Sequence, residues 1–441
     1  MRDTVRRSAA ALAVLGLLLG CSEKASLKPA QQSGSNPTLP AAQNFLVPPM
    51  QVPKGVGWKQ GQTPQVVAGL QIERIASGLQ HPRQLLVLPN GDVLVVESNG
   101  PGTEPVTTPK QLLAGIVKAR SGKGAKGGNR ITLLRKVAAT GEWEKHVFVT
   151  GLHSPFGLQL IGDFLYVANT DGIVRFPYVK GQTEITAPGQ AWADLPDTIN
   201  HHWTKALEAN ADGTKLYVGV GSNSNITENG MAVEYRRAAV LEVDVATGAS
   251  RIYASGLRNP TGLQWDRSSG TLWAIVNERD EIGADLVPDY LTSVREGGFY
   301  GWPYSYYGQH LDSRVVPQRP DLVAKAIKPD YSLGSHVAPL GLLMSKTNAL
   351  PAKYQNGAFI SEHGSWDRSP LSGYEVVFVA FDQGRPVGAP QPVVTGFFSD
   401  DESLLYGAPV GLVQSKDGAL LIADDVGNVV WRVSAAAAAT R

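Results

Sequence analysis

The chain has 441 residues, of which 43% are hydrophobic and 18% charged, with 48 Gly and 29 Pro. This composition is typical of a globular, turn-rich protein and excludes a disordered or collagen-like chain. Lys and Arg number 40 against 39 Asp and Glu, and this even balance argues against a nucleic-acid-binding or polybasic membrane surface.

Residues 1–20 have the pattern of a secretory signal. Three arginines precede an apolar run over 9–20, which is too short to span a bilayer as a mature helix. The run ends in LLGC at Cys21, the only cysteine of the chain, and this ending resembles a bacterial lipobox. The resemblance implies a lipoprotein signal peptide, lipidation of Cys21 and a protein anchored in the bacterial cell envelope facing the periplasm. Ordinary secretion without a lipid is the alternative.

Residues 21–63 predict the lipidated cysteine followed by a flexible linker. The stretch after Cys21 is rich in Ser, Gln, Pro and Ala and poor in aromatic residues, so it buries too little apolar surface to order itself as a separate unit. We expect a single folded domain over 64–441.

A short repeat, Pro-x-Gly-Leu followed by a turn and a β-rich run, organises the rest of the chain. The repeat occurs in four regular copies and two degenerate ones. The regular copies begin at Pro155, Pro260, Pro339 and Pro409, and the degenerate ones are Pro82-Arg-Gln-Leu85 and Trp203-Thr-Lys-Ala-Leu207. Helical periodicity is nearly absent outside a basic, Gly-rich insertion at about 99–129.

Six spaced copies with strand-like runs after each predict an all-β, six-bladed β-propeller with long loops between its strands. A Greek-key sandwich is the structural alternative, but it gives no reason for the spacing. In a propeller the loop before each inner strand lies at one mouth of the central channel, so the copies that break the pattern mark candidate functional residues.

Three strings in this order carry a family resemblance: GLRNPTGL from Gly256, LWAIVNERDEIGAD from Leu272, and GGFYGWP from Gly297. They resemble the soluble PQQ-dependent sugar dehydrogenases, the glucose and sorbosone dehydrogenase family. The strings HHWTKAL from His201 and HGSWDRSP from His363 are similar to its sorbosone dehydrogenase-like branch.

The resemblance implies a quinoprotein that oxidises a sugar or sugar aldehyde, with PQQ and calcium as cofactors. His202 matches the family's proton-abstracting histidine. Its neighbour His201, if both lie on a strand, would point the opposite way. Oxidation of a hydroxyl needs a group that takes the O–H proton, and an imidazole suits that task near neutral pH.

The cofactor and metal residues follow from the same resemblance. PQQ is a planar o-quinone with three carboxylates, and the family places cofactor contacts at Arg258 and Asn259. Lys205 and Arg368 are further candidate cations, because guanidinium and ammonium groups bind carboxylates. For each cation an ordinary salt bridge or surface position is the alternative.

The family holds calcium with backbone carbonyls of the loop that here reads Asp280-Glu281, where relatives more often carry Gly-Pro. Asp285 matches an acid that orients this loop. A solvated acidic loop without a metal is the alternative. The last repeat has Ala408 where relatives commonly carry Arg, which removes one expected anion contact.

Two other functions remain open from the sequence. One is a binding or scaffold propeller that has lost its cofactor; the other is a calcium-dependent lactonase-type hydrolase, for which the sequence gives no converging set of ligands. The electron acceptor, a quinone or cytochrome, is not identified by the sequence.

Overall fold

The computed structural model of the protein describes residues 24–43, 51–102, 115–116, 119–345 and 348–437. The predicted signal peptide, Cys21 and much of the 99–129 insertion lie outside the described residues. Within the described part, no helix has the length and apolarity needed to cross a membrane.

Six antiparallel sheets form the blades of a β-propeller, as the repeats predict. Blade 1 contains Pro82–Val87, Val93–Glu97, Arg130–Lys136 and Trp143–Val149, and blade 2 contains Gly157–Ile161, Phe164–Ala168, Gly172–Pro177 and Gln190–Asp194. Blade 3 contains Lys205–Ala209, Lys215–Val220, Ala239–Asp244 and Ser250–Ser255, and blade 4 contains Asn259–Asp266, Thr271–Asn277, Pro288–Val294 and Tyr331–Ser335.

The last two blades recruit strands from the start of the chain. Blade 5 contains Pro339–Ser345, Gly357–Glu362, Glu375–Asp382 and Arg385–Thr395, and Gln65–Val66 pairs with its outer edge. Blade 6 contains Pro409–Gln414, Leu420–Asp424 and Val429–Ala435, and Leu70–Ala76 supplies its outermost strand. This pairing of the two chain ends closes the ring. The first strand of each blade contacts the first strands of both neighbours around the channel.

Each junction between neighbouring blades is filled by buried apolar side chains. Strands in the middle of a blade are covered on both faces, so they read as continuous hydrophobic runs rather than alternating ones. Val93–Glu97 is buried at all five positions, and Leu420–Asp424 likewise. All six repeat copies lead into innermost strands. In the four regular copies the glycine allows a close approach between blades: a Cβ at Gly341 would collide with Val410 O of the next blade.

The remaining regular elements are short. Those that the structure describes in full are the α-helices Pro29–Gln32 and Pro320–Val323, the 3-10 helices Met231–Glu234 and Ala352–Tyr354, and the paired two-residue strands Lys54–Gly55 with Leu404–Leu405 and Ser305–Tyr306 with His310–Leu311.

Described stretches of the predicted linker lie on the propeller. Within 24–43, here called the N-terminal segment, Gln32 is 3% exposed, and Gly34 exchanges two backbone hydrogen bonds with Ser332 of blade 4. Further along, Trp58 Nε1 donates to Asp424 Oδ2 at 2.6 Å. The chain boundary at residue 64 stays a prediction, but the segments before it have specific polar partners that composition does not reveal.

A cavity of about 120 Å³ lies inside the channel, part-way along the inner strands. Its polar lining consists of Gln84, Gln159, Glu208 and Gln264. Burial raises the pKa of Glu208 to about 7. The sequence-predicted site residues do not line this cavity; they lie nearer the start of the inner strands.

Candidate functional site

Two sets of loops meet at one end of the channel, here called the upper rim. One set connects the last strand of a blade to the first strand of the next, and the other connects the second and third strands of the same blade. Both sets lie at the same end because successive strands run in opposite directions. This convergence brings together residues that are far apart in the sequence.

His201 and His202 lie in the connection from blade 2 to blade 3. Their ring centroids are 4.6 Å apart and the ring planes meet at 79°. The expectation that they point in opposite directions is wrong, because the first strand of blade 3 begins only at Lys205 and the alternation of a strand does not apply to them. His202 Nδ1 lies 2.9 Å from Ser222 O.

His202 lies beside the two predicted cofactor residues of blade 4. Ser222 N donates to Arg258 O at 2.7 Å, so one residue links the imidazole to that backbone. A Cβ at Gly221 would clash with both His202 Cβ and Asn259 Oδ1. Glycine therefore permits the close approach of the two side chains. Asn259 Oδ1 is buried and receives no hydrogen bond.

Arg258 is 2% exposed and extends across the rim. Its guanidinium donates to Asn225 Oδ1 at 3.0 Å and to Glu278 O at 2.5 Å. Nη2 lies 3.3 Å from Asp280 Oδ2. These contacts fix Arg258 against the acidic loop that the sequence associates with a metal.

Lys205 forms an unusual pair with Arg237. Lys205 is fully buried, and its Nζ donates to Asn200 Oδ1 at 3.3 Å and to Trp203 O at 3.1 Å. Arg237 Nη1 and Nη2 donate to the same Asn200 oxygen at 3.4 and 3.3 Å. In the described part of the chain, neither cation makes an ion pair with a carboxylate. Burial, and then repulsion from Arg237, lower the pKa of Lys205 well below its usual value.

The acidic loop brings Asp280 to two side chains of the next blade. His336 Nδ1 lies 3.4 Å from Asp280 Oδ1 and 3.3 Å from Asp367 Oδ1. Burial opposes ionisation of Asp280, but His336, Arg258 and, more weakly, His201 hold its pKa below the usual value. The influence of His201 places the histidine pair within electrostatic reach of this loop.

The loop turns without the family's Gly-Pro. Glu281 adopts φ 76°, and Gly283 adopts φ 131°. Asp285, predicted to orient the loop, is 7% exposed and pairs with Arg368 at 3.2 Å. Arg368 also donates to Ser335 O at 3.3 Å. In this structure Arg368 holds Asp285, and its predicted contact with a cofactor stays a prediction.

The N-terminal segment clamps the same loop. Asp285 Oδ2 accepts hydrogen bonds from Ser26 N at 2.6 Å and Leu27 N at 3.0 Å, and Oδ1 accepts one from Gln32 Nε2 at 2.9 Å. Gln43 N donates to Ile282 O at 2.9 Å. The chain that precedes the propeller thus fixes the position of the acidic loop.

Sequence reasoning missed several rim residues. His336 stands three residues before the repeat at Pro339, where the repeat itself indicates a rim loop, and Asp367 lies within the HGSWDRSP string. Both therefore carried a usable signal. No motif marked Arg237. It lies just before the strand Ala239–Asp244, which pairs with Lys215–Val220, and that strand in turn pairs with the one that begins at Lys205.

A second polar cluster was also missed. It surrounds Asp425 of blade 6, which pairs with Arg83 of blade 1 and with His363 Nε2 of blade 5 at 3.0 Å. His81 Nδ1 lies 3.5 Å from the same carboxylate. Burial opposes ionisation of Asp425, but the surrounding basic groups, His363 foremost, hold its pKa well below the usual value.

Among curated proteins, an uncharacterised protein of Borreliella burgdorferi is 29% identical over 293 residues, which cover 64% of this chain and 76% of the relative. A pyrroloquinoline quinone-dependent pyranose dehydrogenase of Coprinopsis cinerea is 25% identical over 292 residues, which cover 52% of this chain. The match spans only 39% of that relative's length.

Solved structures share the fold at low identity. The holo PQQ domain of the Coprinopsis cinerea pyranose dehydrogenase has a TM-score of 0.67 at 19% identity and covers 87% of this chain and all of its own. The PQQ-bound aldose sugar dehydrogenase of Streptomyces coelicolor has a TM-score of 0.53 at 16% identity, with 84% of this chain and all of its own covered.

The family model described as TrAA12-like matches residues 64–290 and 321–435. These ranges include all the blade strands given above except the end of Pro288–Val294, and both rim loops that carry Asp280 and Asp367. The chain belongs to the TrAA12-like family.

Proposed function

We propose that the protein is a PQQ-dependent oxidoreductase of the bacterial cell envelope that oxidises a sugar or sugar aldehyde. The electrons pass to a separate acceptor, a quinone or cytochrome. The observation that carries the proposal is the buried Lys205–Arg237 pair beside His202, which converges on one neutral amide oxygen. Asp197 attracts both cations, but neither makes a direct ion pair with a carboxylate in the described residues, and this arrangement is favourable for an anionic guest.

The residues at the rim fit the cofactor's chemistry. Lys205 and Arg237 would bind carboxylate groups, and Arg258 and Asn259 would contact polar atoms of the ring system. Asn259 Oδ1 is buried without a donor, and a buried polar atom in that state is favourable for a ligand that supplies one. When bound, PQQ supplies an o-quinone that accepts a hydride.

His202 is the proposed base. Donation from Nδ1 to Ser222 O at 2.9 Å fixes the neutral tautomer in which Nε2 carries the lone pair. That nitrogen can take the hydroxyl proton of the substrate as hydride leaves the same carbon. General-base catalysis of this kind contributes about 10² to 10⁴ in rate.

The test is reconstitution of the purified protein with PQQ and a divalent cation, followed by reduction of an artificial dye with a panel of aldoses and sorbosone. His202→Gln should retain PQQ, measured by its absorbance, and lose dye reduction. His153→Gln is the matched control, because His153 is exposed and pairs with Asp171. Failure of the wild-type protein to retain PQQ would instead favour a scaffold propeller.

One observation favours a second candidate, a metal-dependent lactone hydrolase. Such an enzyme needs side-chain ligands that converge on one ion, and Asp280, His336 and Asp367 converge in the described structure. Hydrolysis of a sugar lactone by the PQQ-free protein, followed by proton release in a pH-stat, would separate this function from dehydrogenation.

The proposed location has its own test. Lipidation of Cys21 would place the protein in the membrane fraction, and Cys21→Ser should move it to the soluble fraction. An unchanged distribution would leave secretion without a lipid as the better description.

A further inference from the structure

We infer that Asp280, His336 and Asp367 form a side-chain site for a divalent transition-metal ion, such as Mn²⁺, Co²⁺ or Zn²⁺, rather than for calcium. The inference goes beyond the proposed function, because metal binding here is measurable whether or not the protein oxidises sugars. The three side chains come from separate rim loops, and their ligand atoms all lie within 4.8 Å of one another.

The imidazole is oriented as a ligand. His336 Nε2 donates to Gly283 O at 3.0 Å, so Nδ1 is the ring nitrogen that a metal ion would bind, in place of the proton that this nitrogen shares with the two carboxylates. Nδ1 faces the two carboxylates, at 3.4 Å from Asp280 Oδ1 and 3.3 Å from Asp367 Oδ1. A hydrogen bond from the other ring nitrogen to a carbonyl is the usual way in which a metal-binding histidine is held.

One of the carboxylates has an unsatisfied ligand atom. Asp367 Oδ1 is buried and receives no hydrogen bond, and the Asp367 side chain is 2% exposed. Its contact with His336 Nδ1 at 3.3 Å is an ion pair without a hydrogen bond, and a buried carboxylate oxygen without a hydrogen bond is costly. A cation bound between it and the imidazole would remove that cost.

The third ligand is positioned by neighbouring groups. Asp280 Oδ2 lies 3.3 Å from Arg258 Nη2, so Oδ1 is the oxygen turned toward His336. The Asp280 side chain is 21% exposed, whereas that of His336 is 4% exposed. The site therefore opens to solvent on the Asp280 side, where water or a ligand oxygen can complete the coordination.

The donor set decides the class of metal. Calcium takes six to eight oxygen ligands, and the family resemblance assigns it to backbone carbonyls. Here an imidazole nitrogen stands between two carboxylates, and imidazole suits Zn²⁺, Co²⁺ and other first-row ions. The side chains present thus fit a nitrogen-accepting ion better than calcium.

The experiment titrates the metal-free purified protein with Co²⁺, Zn²⁺, Mn²⁺ and Ca²⁺ by calorimetry, and records the visible absorption of bound Co²⁺. We expect one Co²⁺ or Zn²⁺ per chain, bound at least tenfold more tightly than Ca²⁺. His336→Gln should weaken Co²⁺ binding by about 100-fold or more, since loss of an outer partner alone costs 10- to 100-fold. His153→Gln should change nothing.

Asp367→Asn keeps the side-chain volume and is the second variant if His336→Gln does not fold. Equal or tighter binding of Ca²⁺, no stoichiometric Co²⁺ or Zn²⁺ binding, or an unchanged Co²⁺ spectrum in a folded His336→Gln or Asp367→Asn protein would each overturn the inference. Stoichiometric Co²⁺ binding without dye reduction would support the metal site and count against the proposed function.

Discussion

We expect the buried ammonium of Lys205 to lower the stability of the folded protein and to raise its affinity for PQQ. The substitution Lys205→Met separates these two effects. The ammonium is fully buried, and its hydrogen bonds go only to neutral oxygens, at 3.1 and 3.3 Å. Met has a similar length and no charge. Replacing a poorly compensated buried ion by an apolar side chain is often neutral or stabilising by about 1 to 4 kcal/mol. We therefore expect the variant to unfold at an equal or higher urea concentration.

The same substitution should weaken the binding of PQQ. Truncating one partner of a buried charge pair costs about 2 to 5 kcal/mol, and even about 2 kcal/mol weakens the Kd about 30-fold. Equilibrium urea unfolding without PQQ and titration with PQQ measure the two quantities on the same protein. Lys215→Met is the matched control, since Lys215 pairs with Asp244 at the other end of the same blade.

The pH dependence of this effect has a definite sign. Burial and repulsion from Arg237 lower the folded-state pKa of Lys205 well below 10.5, so the unfolded chain binds the proton more readily. Stability from this group therefore falls as the pH drops below about 10, toward the folded-state pKa. The gain in stability of Lys205→Met over the wild type should therefore increase as the pH falls over the same range. A lower unfolding midpoint together with an unchanged Kd for PQQ would refute the reasoning.

Three further substitutions test other parts of the rim. His202→Gln should lower kcat/KM by about 10² to 10⁴ with the Kd for PQQ nearly unchanged; a large change in that Kd would mean that the side chain binds rather than reacts. Asp285→Ala should leave Arg368 buried without its carboxylate partner and lower the free energy of unfolding by about 3 to 5 kcal/mol. It should also speed amide exchange in the N-terminal segment, and unaltered exchange would mean that the hydrogen bonds to Asp285 do not hold this segment. Asp425→Asn should destabilise the protein by a similar amount at neutral pH. Because the pKa of Asp425 is held low, its stabilisation is complete above about pH 4 and is lost as the pH falls. The variant's urea midpoint should therefore change less than that of the wild type between pH 5 and pH 3, and parallel curves would be inconsistent with the ion pairs.

The repeats were sufficient to predict the fold because their physical cause is local. The four regular copies place a glycine where two inner strands approach closely, as Gly341 does against Val410, and all six copies are followed by a run that reads as a strand. The rim positions of His202 and Arg258 followed from the family strings. In the structure, the backbone of Ser222 links the two residues, because its carbonyl contacts the His202 ring and its N–H donates to Arg258 O.

The remaining contacts depend on distance in space rather than in sequence. His336 and Asp280 are 56 positions apart, and no local pattern indicates that an imidazole of one loop faces the carboxylate of another. The contacts of the N-terminal segment were not predicted, for a related reason. Composition indicates how much apolar surface a stretch can bury by itself. The position of Gln32 depends instead on hydrogen bonds from its side-chain amide to Leu27 O and to the distant Asp285.

The last repeat shows why a residue-by-residue comparison underestimates the charge at the rim. The family resemblance implies an Arg where Ala408 stands. Ala408 O accepts a hydrogen bond from Asp425 N at 3.2 Å, and Asp425 pairs with Arg83 from the neighbouring blade. Lys123 reaches the same cluster from the insertion. Its Nζ donates to His363 O at 2.8 Å and to other neutral oxygens, and burial lowers its pKa to about 7. Arg83 on the first strand of blade 1 and, in part, Lys123 of the insertion thus supply positive charge at the same junction. Ala408 alone therefore does not imply a rim unable to bind an anionic cofactor.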